Sequence, residues 1–449
     1  MEKEPIKEKL KYGFPNKTLI IDSQTAPPLR GVDVEQVYKR MYLMGQPEDI
    51  CFYEEHLPID VDYLKYLQKT LNVDIPEFIS VPDGGTGTLP GDMLVDPRSI
   101  DFLQSKILEG YNIQFFNISE DLEVPLVNLV GNSTYCQDFE KVMNLGTKTG
   151  FRQFCEKYQV PVPYGKVCEN IDDIVDIIMN LDMKSIMLKS RSGTAGGELG
   201  SNIVVEEQEI GQYSSNGTLD ELIQLKIQGL CPSEFPLVAE QKLNLPSEGS
   251  IHIFIDQNGD VIYKPTIFGQ IAEAGSYKGG FYPNNIDRAF EYIILEFADQ
   301  TLVPALQSEG LTGFHCFDFL YDECTQDFAL IEDNTRPGAL DFINHFVQKV
   351  IESNGFGDEF TWYTKNISLE KLGMETTNFA HIREVLGDYI DPHSELTKKI
   401  GAFGLVSNPD VLRYGGDLNL TVVVLEDSED SISKARDLYN QLVEKINYL

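Results

Sequence analysis

Glu332, Asn334 and Arg336 stand at alternate positions of one short stretch, FALIEDNTRPGAL (328–340). In an extended chain alternate side chains share a face. The pattern therefore aligns Leu330, Glu332, Asn334 and Arg336 and sends Asp333 and Thr335 the other way. A carboxylate, an amide and a guanidinium are costly to bury without partners. Two readings compete: a strand running out into a solvated turn, or a hard-cation site beside an anion clamp. Asp318 favours the second. The segment GFHCFDFLYDECTQDFALIEDNTR (313–336) reads as a hairpin, which brings Asp318 within about one residue of opposite Glu332. Two carboxylates and an amide oxygen suit Mg²⁺, which takes oxygen ligands and leaves positions to water and phosphate. Arg336 could then grip a phosphoryl group or a carboxylate with two hydrogen bonds.

A second set of residues is basic. Lys189 ends an apolar strand and is followed by a loop containing Ser192, Gly193, Gly196 and Gly197. Glycine lets backbone N–H groups approach phosphate oxygens and lets a loop open and close. The loop is not a P-loop, because no Lys-Ser/Thr pair follows and the next element is a strand. On its own, a flexible hairpin loop would look the same. Lys148 opens the helical stretch KTGFRQFCEKY ahead of V-P-V-P, and Glu240 closes the apolar strand FPLVAEQKL. The six histidines show no H-E-x-x-H or H-x-H spacing, which argues against a histidine-rich metal centre. No Ser/His/Asp or Cys/His arrangement is visible.

The elements that must position these groups change texture along the chain. Through the first third, KTLIID, DICFYE and EFISVP read as strands. They are separated by amphipathic stretches at 34–44 and 61–71, the pattern of a parallel sheet with crossover helices. The glycine-rich 82–92 segment reads as a surface loop. From about residue 148 the expected order is helix, strand, helix (171–181), then the strands flanking the glycine loop. After a polar stretch come two hairpins, the first turning at Asn258-Gly259. The tail closes with the strand LNLTVVVL and a helix.

At 449 residues several cores are expected. A formal charge of −35 makes nucleic acid and an anionic membrane poor partners. Any polyphosphate ligand would need its own local cluster of lysine, arginine and metal. Seven scattered cysteines without C-x-x-C spacing suit a reducing compartment, and no run approaches a membrane span. A cytoplasmic protein is expected.

The ordered set Lys148, Lys189 with its glycine loop, Glu240, Asp318, Glu332-x-Asn334-x-Arg336 resembles the ATP-grasp ligases over roughly residues 140–350. The resemblance implies an α/β (α+β) fold. A Rossmann-like pre-ATP-grasp domain (1–139) would precede a two-part ATP-grasp domain, with the glycine loop in 140–235 and the metal site in 236–350. A small C-terminal α/β cap (351–449) would follow. Within that superfamily, TKTGFRQFCEKYQVPVPYG, together with Gln270, Tyr277, Gly280 and FYP, resembles the branch of the pheganomycin peptide ligase. Phe268-Gly269 and PGALDFI depart from that branch, which leaves the acceptor open.

By resemblance, ATP and Mg²⁺ are the cofactors. Lys148 and Lys189 would meet the ATP phosphates, with Ser192, Gly193, Gly196 and Gly197 in the lid. Glu240, Gln241, Lys242 and Leu243 would form the adenine hinge, and Glu248 would reach the ribose. Asp318, Glu332 and Asn334 would hold the metal. Arg336 would face the transferred phosphoryl or the acid, and Gln270, Tyr277 and Gly280 would line the substrate side. His315 and Cys316 read as packing and Asp333 as structural. The expected activity is an ADP-forming carboxylate–amine ligase acting on small-molecule substrates, with a homodimer left open. Loading a carrier-protein thiol and nucleotide-dependent regulation are the alternatives.

Overall fold

Three sheets organise the described residues. The computed structural model describes residues 13–22, 40–57, 59–116, 118–131, 134–135, 138–181, 184–191, 201–230, 233–273, 276–368, 377–407, 412, 417–428 and 430–447. Strands β1 (Thr18–Ile21), β2 (Ile50–Glu54), β3 (Glu77–Val81) and β4 (Asn112–Phe115) form a wholly parallel sheet in the order β3-β2-β1-β4. The strand order reverses at β1 and β4, the place where open α/β sheets present ligand crevices. The helix Val61–Lys69 starts where the Asp60 carboxylate accepts the N–H groups of Asp62 and Tyr63.

Two local expectations change. The helix expected over 34–44 lies largely outside the described residues, and its end is a single 3-10 turn, Met41–Leu43. The segment 82–92 is only half loop, because a helix runs from Leu89 to Val95. Thr88 caps it by accepting the Gly91 N–H, and Pro90 sits in the first turn, where its missing N–H is not needed.

The second sheet is antiparallel, with β5 (Gly165–Cys168), β6 (Ile186–Lys189), β7 (Asn202–Val205) and β8 (Leu237–Gln241) in the order β5-β8-β6-β7. Ile174, Ile177 and Ile178 of the Ile171–Leu181 helix are buried against it with Leu188, Leu222 and Leu237. The polar stretch before β8 holds two helices, Glu207–Asn216 and Leu219–Ile227. The first is started by a reciprocal Glu206–Glu209 capping box.

The third sheet has eight antiparallel strands: β9 (Ser247–Ile255), β10 (Val261–Glu273), β11 (Ser276–Tyr282), β12 (Gly313–Asp322), β13 (Asp327–Asn334), β14 (Thr361–Ser368), β15 (Ala402–Val406) and β16 (Asp417–Val424). Their order is β13-β12-β9-β10-β11-β14-β16-β15, so the tail strands extend the same sheet that carries the two hairpins. Side chains alternate across β14. Trp362 turns to the Ala339–Ser353 helix and donates to Asn344, while Tyr363 packs on Tyr439 of the Ser431–Asn447 helix.

One core joins Tyr42, Tyr63 and Tyr66 to Trp362, Phe379, Leu420 and Leu442. The Tyr63 and Tyr66 hydroxyls donate to the carbonyls of Val406 and Ile390 at 2.5 and 2.9 Å. The first and last parts of the chain are therefore sewn together. Among the described residues no helix is long and apolar enough to cross a membrane.

Candidate active site

The β12–β13 hairpin sets the geometry. Asp318 lies directly opposite Glu332, and Cys316 opposite Asn334. The next pair is Phe319 with Leu330, so Ile331 is an extra residue in a bulge. The bulge corrects one sequence expectation: Leu330 turns into the core with Phe317 and Phe319 rather than sharing the Glu332–Asn334 face. It also frees the Ile331 carbonyl, which accepts a hydrogen bond from Lys189 Nζ at 3.1 Å. Asp333, on the core face, lies 2.9 Å from His315 Nδ1 with both side chains fully buried. That pair is internal, as expected.

Amides fix the Asp318 carboxylate. Gln270 Nε2 donates to one oxygen at 2.6 Å and Asn334 Nδ2 to the other at 3.1 Å. Arg336 Nη2 donates to Asn334 Oδ1 at 3.1 Å, and its guanidinium lies over the Phe116 ring at 5.1 Å. Gln270 sits on β10 opposite Gly280 of β11. A register shift leaves Lys278 unpaired and puts Tyr277 opposite Ala272, on the Gln270 face. Tyr277 is 36% exposed. A larger residue at Gly280 would force its neighbours to shift, since a Cβ there would stand 2.6 Å from the Gly269 carbonyl and 2.7 Å from Leu340.

The cationic side converges on the same row. Lys189, at the end of β6, holds Glu240 Oε1 at 2.5 Å. Arg152, from the Lys148–Tyr158 helix, approaches Glu240 Oε2 at 3.8 Å and donates to the carbonyls of Pro163 and Gly165. Lys148 is buried and donates to Ser201 Oγ at 3.4 Å. Burial lowers its proton affinity, and so does Lys189, while Glu332 and Glu240 oppose them.

The two facing carboxylates diverge. Burial and the Glu332 charge push Asp318 well above the usual carboxylate range. Burial pushes Glu332 the same way, but Lys148, Lys189, a hydrogen bond from Asp318 and Arg336 together hold it below. Two carboxylates and an amide leave coordination positions for phosphate and water, which suits Mg²⁺. Among the described residues, no cluster of three or more His, Cys, Asp and Glu forms a metal cage.

The proposed hinge residues close β8. The Gln241 N–H bonds the Tyr164 carbonyl, the Lys242 N–H bonds that of Ser185, and Lys242 Nζ pairs with Glu206 at 2.9 Å. Leu243 follows, half-buried. Glu248 is half-buried on β9 opposite Leu320, and burial raises its carboxyl. Ser192, Gly193, Gly196 and Gly197 lie outside the described residues.

Sequence reasoning missed Arg152, Arg40 and two aromatics. Arg40 stands over Phe342 at 5.3 Å, and Phe342 packs on Phe116, so two arginines bracket an aromatic pair beside the end of β4. No motif announces them, since their meeting depends on how the first and third sheets dock.

With this geometry in place, known structures can be compared. Biotin carboxylase from Campylobacter jejuni, solved with β,γ-ATP, matches with a TM-score of 0.58 at 16% identity, over 94% of this chain and 91% of that one. N5-carboxyaminoimidazole synthetase from Staphylococcus aureus gives 0.55 at 14% identity, over 97% and 99%. The biotin carboxylase domain dimer of Hydrogenobacter thermophilus 2-oxoglutarate carboxylase, with MgADP and bicarbonate, gives 0.54 at 13%, over 95% and 89%. This chain has their fold. The mixed α/β (α+β) architecture expected from the sequence is thus the one observed. No protein-family model and no curated protein matches the sequence.

Proposed function

We propose that the protein is an ATP-dependent ligase that activates a carboxylate as an acyl phosphate and joins it to an amine, releasing ADP and phosphate. One observation carries this reading above the others. Asp318 and Glu332 face each other across adjacent strands, with Lys148, Lys189 and Arg336 all close enough to shift the charge of Glu332. That places cations around an oxygen-donor pair in a chain of −35, as transfer of a phosphoryl group from a polyphosphate requires.

Asp318, Glu332 and Asn334 would hold Mg²⁺, whose role is to neutralise charge on the phosphates. Lys148 and Lys189 would bind phosphate oxygens, and β8 beyond Glu240 would border the base. Arg336, anchored by Asn334 and Phe116, would hold the acid so that one of its oxygens attacks the γ-phosphate in line. The amine then attacks the acyl carbon and phosphate leaves. None of these steps needs a protein nucleophile. The Ser192–Gly197 loop, the lid that the resemblance implies, would exclude water from the acyl phosphate.

The narrower reading is an amino acid or peptide as acid, an amine acceptor and a peptide-like amide. Gln270, Tyr277 and Gly280 support it by lying on one face beside Asp318, as the resemblance to the pheganomycin branch implies. Bicarbonate is the competing acid, because the Hydrogenobacter domain was solved with that anion.

The test is ADP release from Mg-ATP with each proteinogenic amino acid, alone and in pairs, and with bicarbonate, using Glu332→Ala as control. Turnover that needs an acid–amine pair and disappears in the variant supports the ligase. Bicarbonate-dependent turnover would replace the peptide reading with a carboxylase. ADP release that no acid stimulates, or that survives in the variant, would refute both.

A further inference from the structure

The sequence shows no Ser/His/Asp arrangement, yet the fold assembles one beside the site. Ser250 and His252 lie on the same face of β9, directly opposite Asp318 and Cys316 of β12. The Ser250 hydroxyl is 2.8 Å from His252 Nε2, and His252 Nδ1 is 2.8 Å from Asp341 Oδ1. Cys316 Sγ lies 3.3 Å from the same Nε2. The imidazole edge packs on the Phe268 ring at 4.7 Å. The Ser250–Nε2 contact is a hydrogen bond, while the Nδ1–Asp341 approach is a close polar contact without hydrogen-bond alignment.

A nucleophilic triad would need an accessible hydroxyl. Ser250 is 0% exposed, between Asp318 on one neighbouring strand and Phe268 on the other, so the array does not read as one. Its other end explains it better. Asp341 stands in the first turn of the Ala339–Ser353 helix, where its second oxygen accepts the Gly338 N–H at 2.6 Å. Gly338 is two residues beyond Arg336. A Cβ on Gly338 would come within 2.7 Å of His252 Cε1 and 2.9 Å of Cys316 Sγ. The Arg336–Gly338 turn therefore rests directly on the imidazole, and glycine is what allows that approach.

We propose that Ser250–His252–Asp341 is a buried strut that sets the Arg336 turn against the Asp318–Glu332 hairpin, making His252 a positioning residue for the anion clamp. It spans β9 and the start of the Ala339–Ser353 helix, and β12 abuts it through Cys316. Its only dependence on the ligase reading is in what Arg336 grips, an acid or phosphoryl anion.

Two measurements on the full-length protein test it. In the first, amide exchange of the peptide covering 335–341 is followed without ligand. His252→Ala should exchange at Gly338 about tenfold faster, since the turn and Asp341 lose the imidazole they rest against. His252→Asn, whose amide falls where Nδ1 stood, should keep most of the protection. Ser250→Ala serves as the second variant should His252→Ala not fold, and it should speed exchange by a smaller factor.

In the second, inorganic phosphate is titrated calorimetrically into the MgADP complex. His252→Ala should bind phosphate about tenfold more weakly with MgADP affinity within about twofold of wild type, and His252→Asn should recover most of the loss. Unchanged Gly338 exchange in His252→Ala would overturn the strut. Faster exchange with phosphate affinity unchanged, or a wild-type MgADP complex that takes no phosphate, would overturn its role in the clamp. A protein that fails to bind MgADP at all would instead refute the ligase reading, and the exchange experiment would still decide the strut.

Discussion

Replacing Glu240 by glutamine keeps the shape of the side chain and removes one buried charge. Glu240 is 6% exposed, holds Lys189 at 2.5 Å and approaches Arg152 at 3.8 Å. Removing one partner of a buried ion pair typically costs about 3–5 kcal/mol. Glutamine still offers Lys189 an oxygen, and the Ile331 carbonyl remains at 3.1 Å, so a loss of about 2–3 kcal/mol is expected.

Nucleotide affinity should move the other way. In the wild type the Lys189 charge is already shared with a carboxylate, and two unit charges at such a site interact by ~4 kcal/mol at 4 Å. Recovering about a third of that for the phosphates would tighten ATP binding roughly tenfold. The assay is thermal unfolding with and without Mg-ATP, backed by calorimetric titration. The variant should unfold earlier than wild type without nucleotide and gain a larger upward shift with it. Weaker ATP binding in Glu240→Gln, or a wild-type midpoint without nucleotide, would refute the reasoning.

Four further outcomes are expected. Glu332→Ala should abolish acid-dependent ADP release and lower the unfolding midpoint, since it removes the buried carboxylate whose charge Lys148, Lys189 and Arg336 favour; substantial residual turnover would remove Glu332 from the metal site. Burial lowers His345 to about 4 from the ordinary histidine value of 6.5, and its Nδ1 accepts the Gly13 N–H at 3.0 Å. The unfolded chain then binds the extra proton between those values, so stability is present above pH ~6.5 and is lost as pH falls towards ~4, by up to ~3 kcal/mol. Urea midpoints of wild type and His345→Gln across that range should diverge by this amount, and parallel curves would contradict it. Gly280→Ala should cost about 1–3 kcal/mol by overpacking against Gly269 and Leu340, read as a lower unfolding midpoint. Deleting residues 377–447 should leave an insoluble chain rather than a trimmed enzyme, because β14 would lose its β16 partner and the Tyr63–Val406 and Tyr66–Ile390 bonds; a soluble, ATP-binding truncate would show otherwise.

Residues whose roles depend on local order were readable in the sequence. Period-two alternation placed Glu332 and Asn334 on one face, and the hairpin brought Asp318 opposite. Asn258-Gly259 marked its turn, with Gly259 at φ +84°. Leu330 was misassigned because a bulge inserts one residue without any compositional mark, and the same kind of shift gives Tyr277 its face. The Glu207–Asn216 helix before β8 was hidden by polarity, since its apolar residues are few and its start depends on a capping box. Arg40, Phe116, Phe342 and the partnership of His252 with Asp341 join segments far apart in sequence. Only the docking of sheets and helix brings them together.

The shared core between the two ends of the chain has a consequence for biosynthesis. Tyr42, Tyr63 and Tyr66 are among the early residues made, yet their packing partners Phe379, Leu420 and Leu442 come hundreds of residues later. On the ribosome the parallel sheet can form while one of its flanks stays open until the tail emerges. An apolar surface is thus presented for most of the time of synthesis, which is when aggregation competes with folding. A nascent chain stalled before residue 379 should be a substrate for chaperones, and completion of the last helix should be the step that releases it.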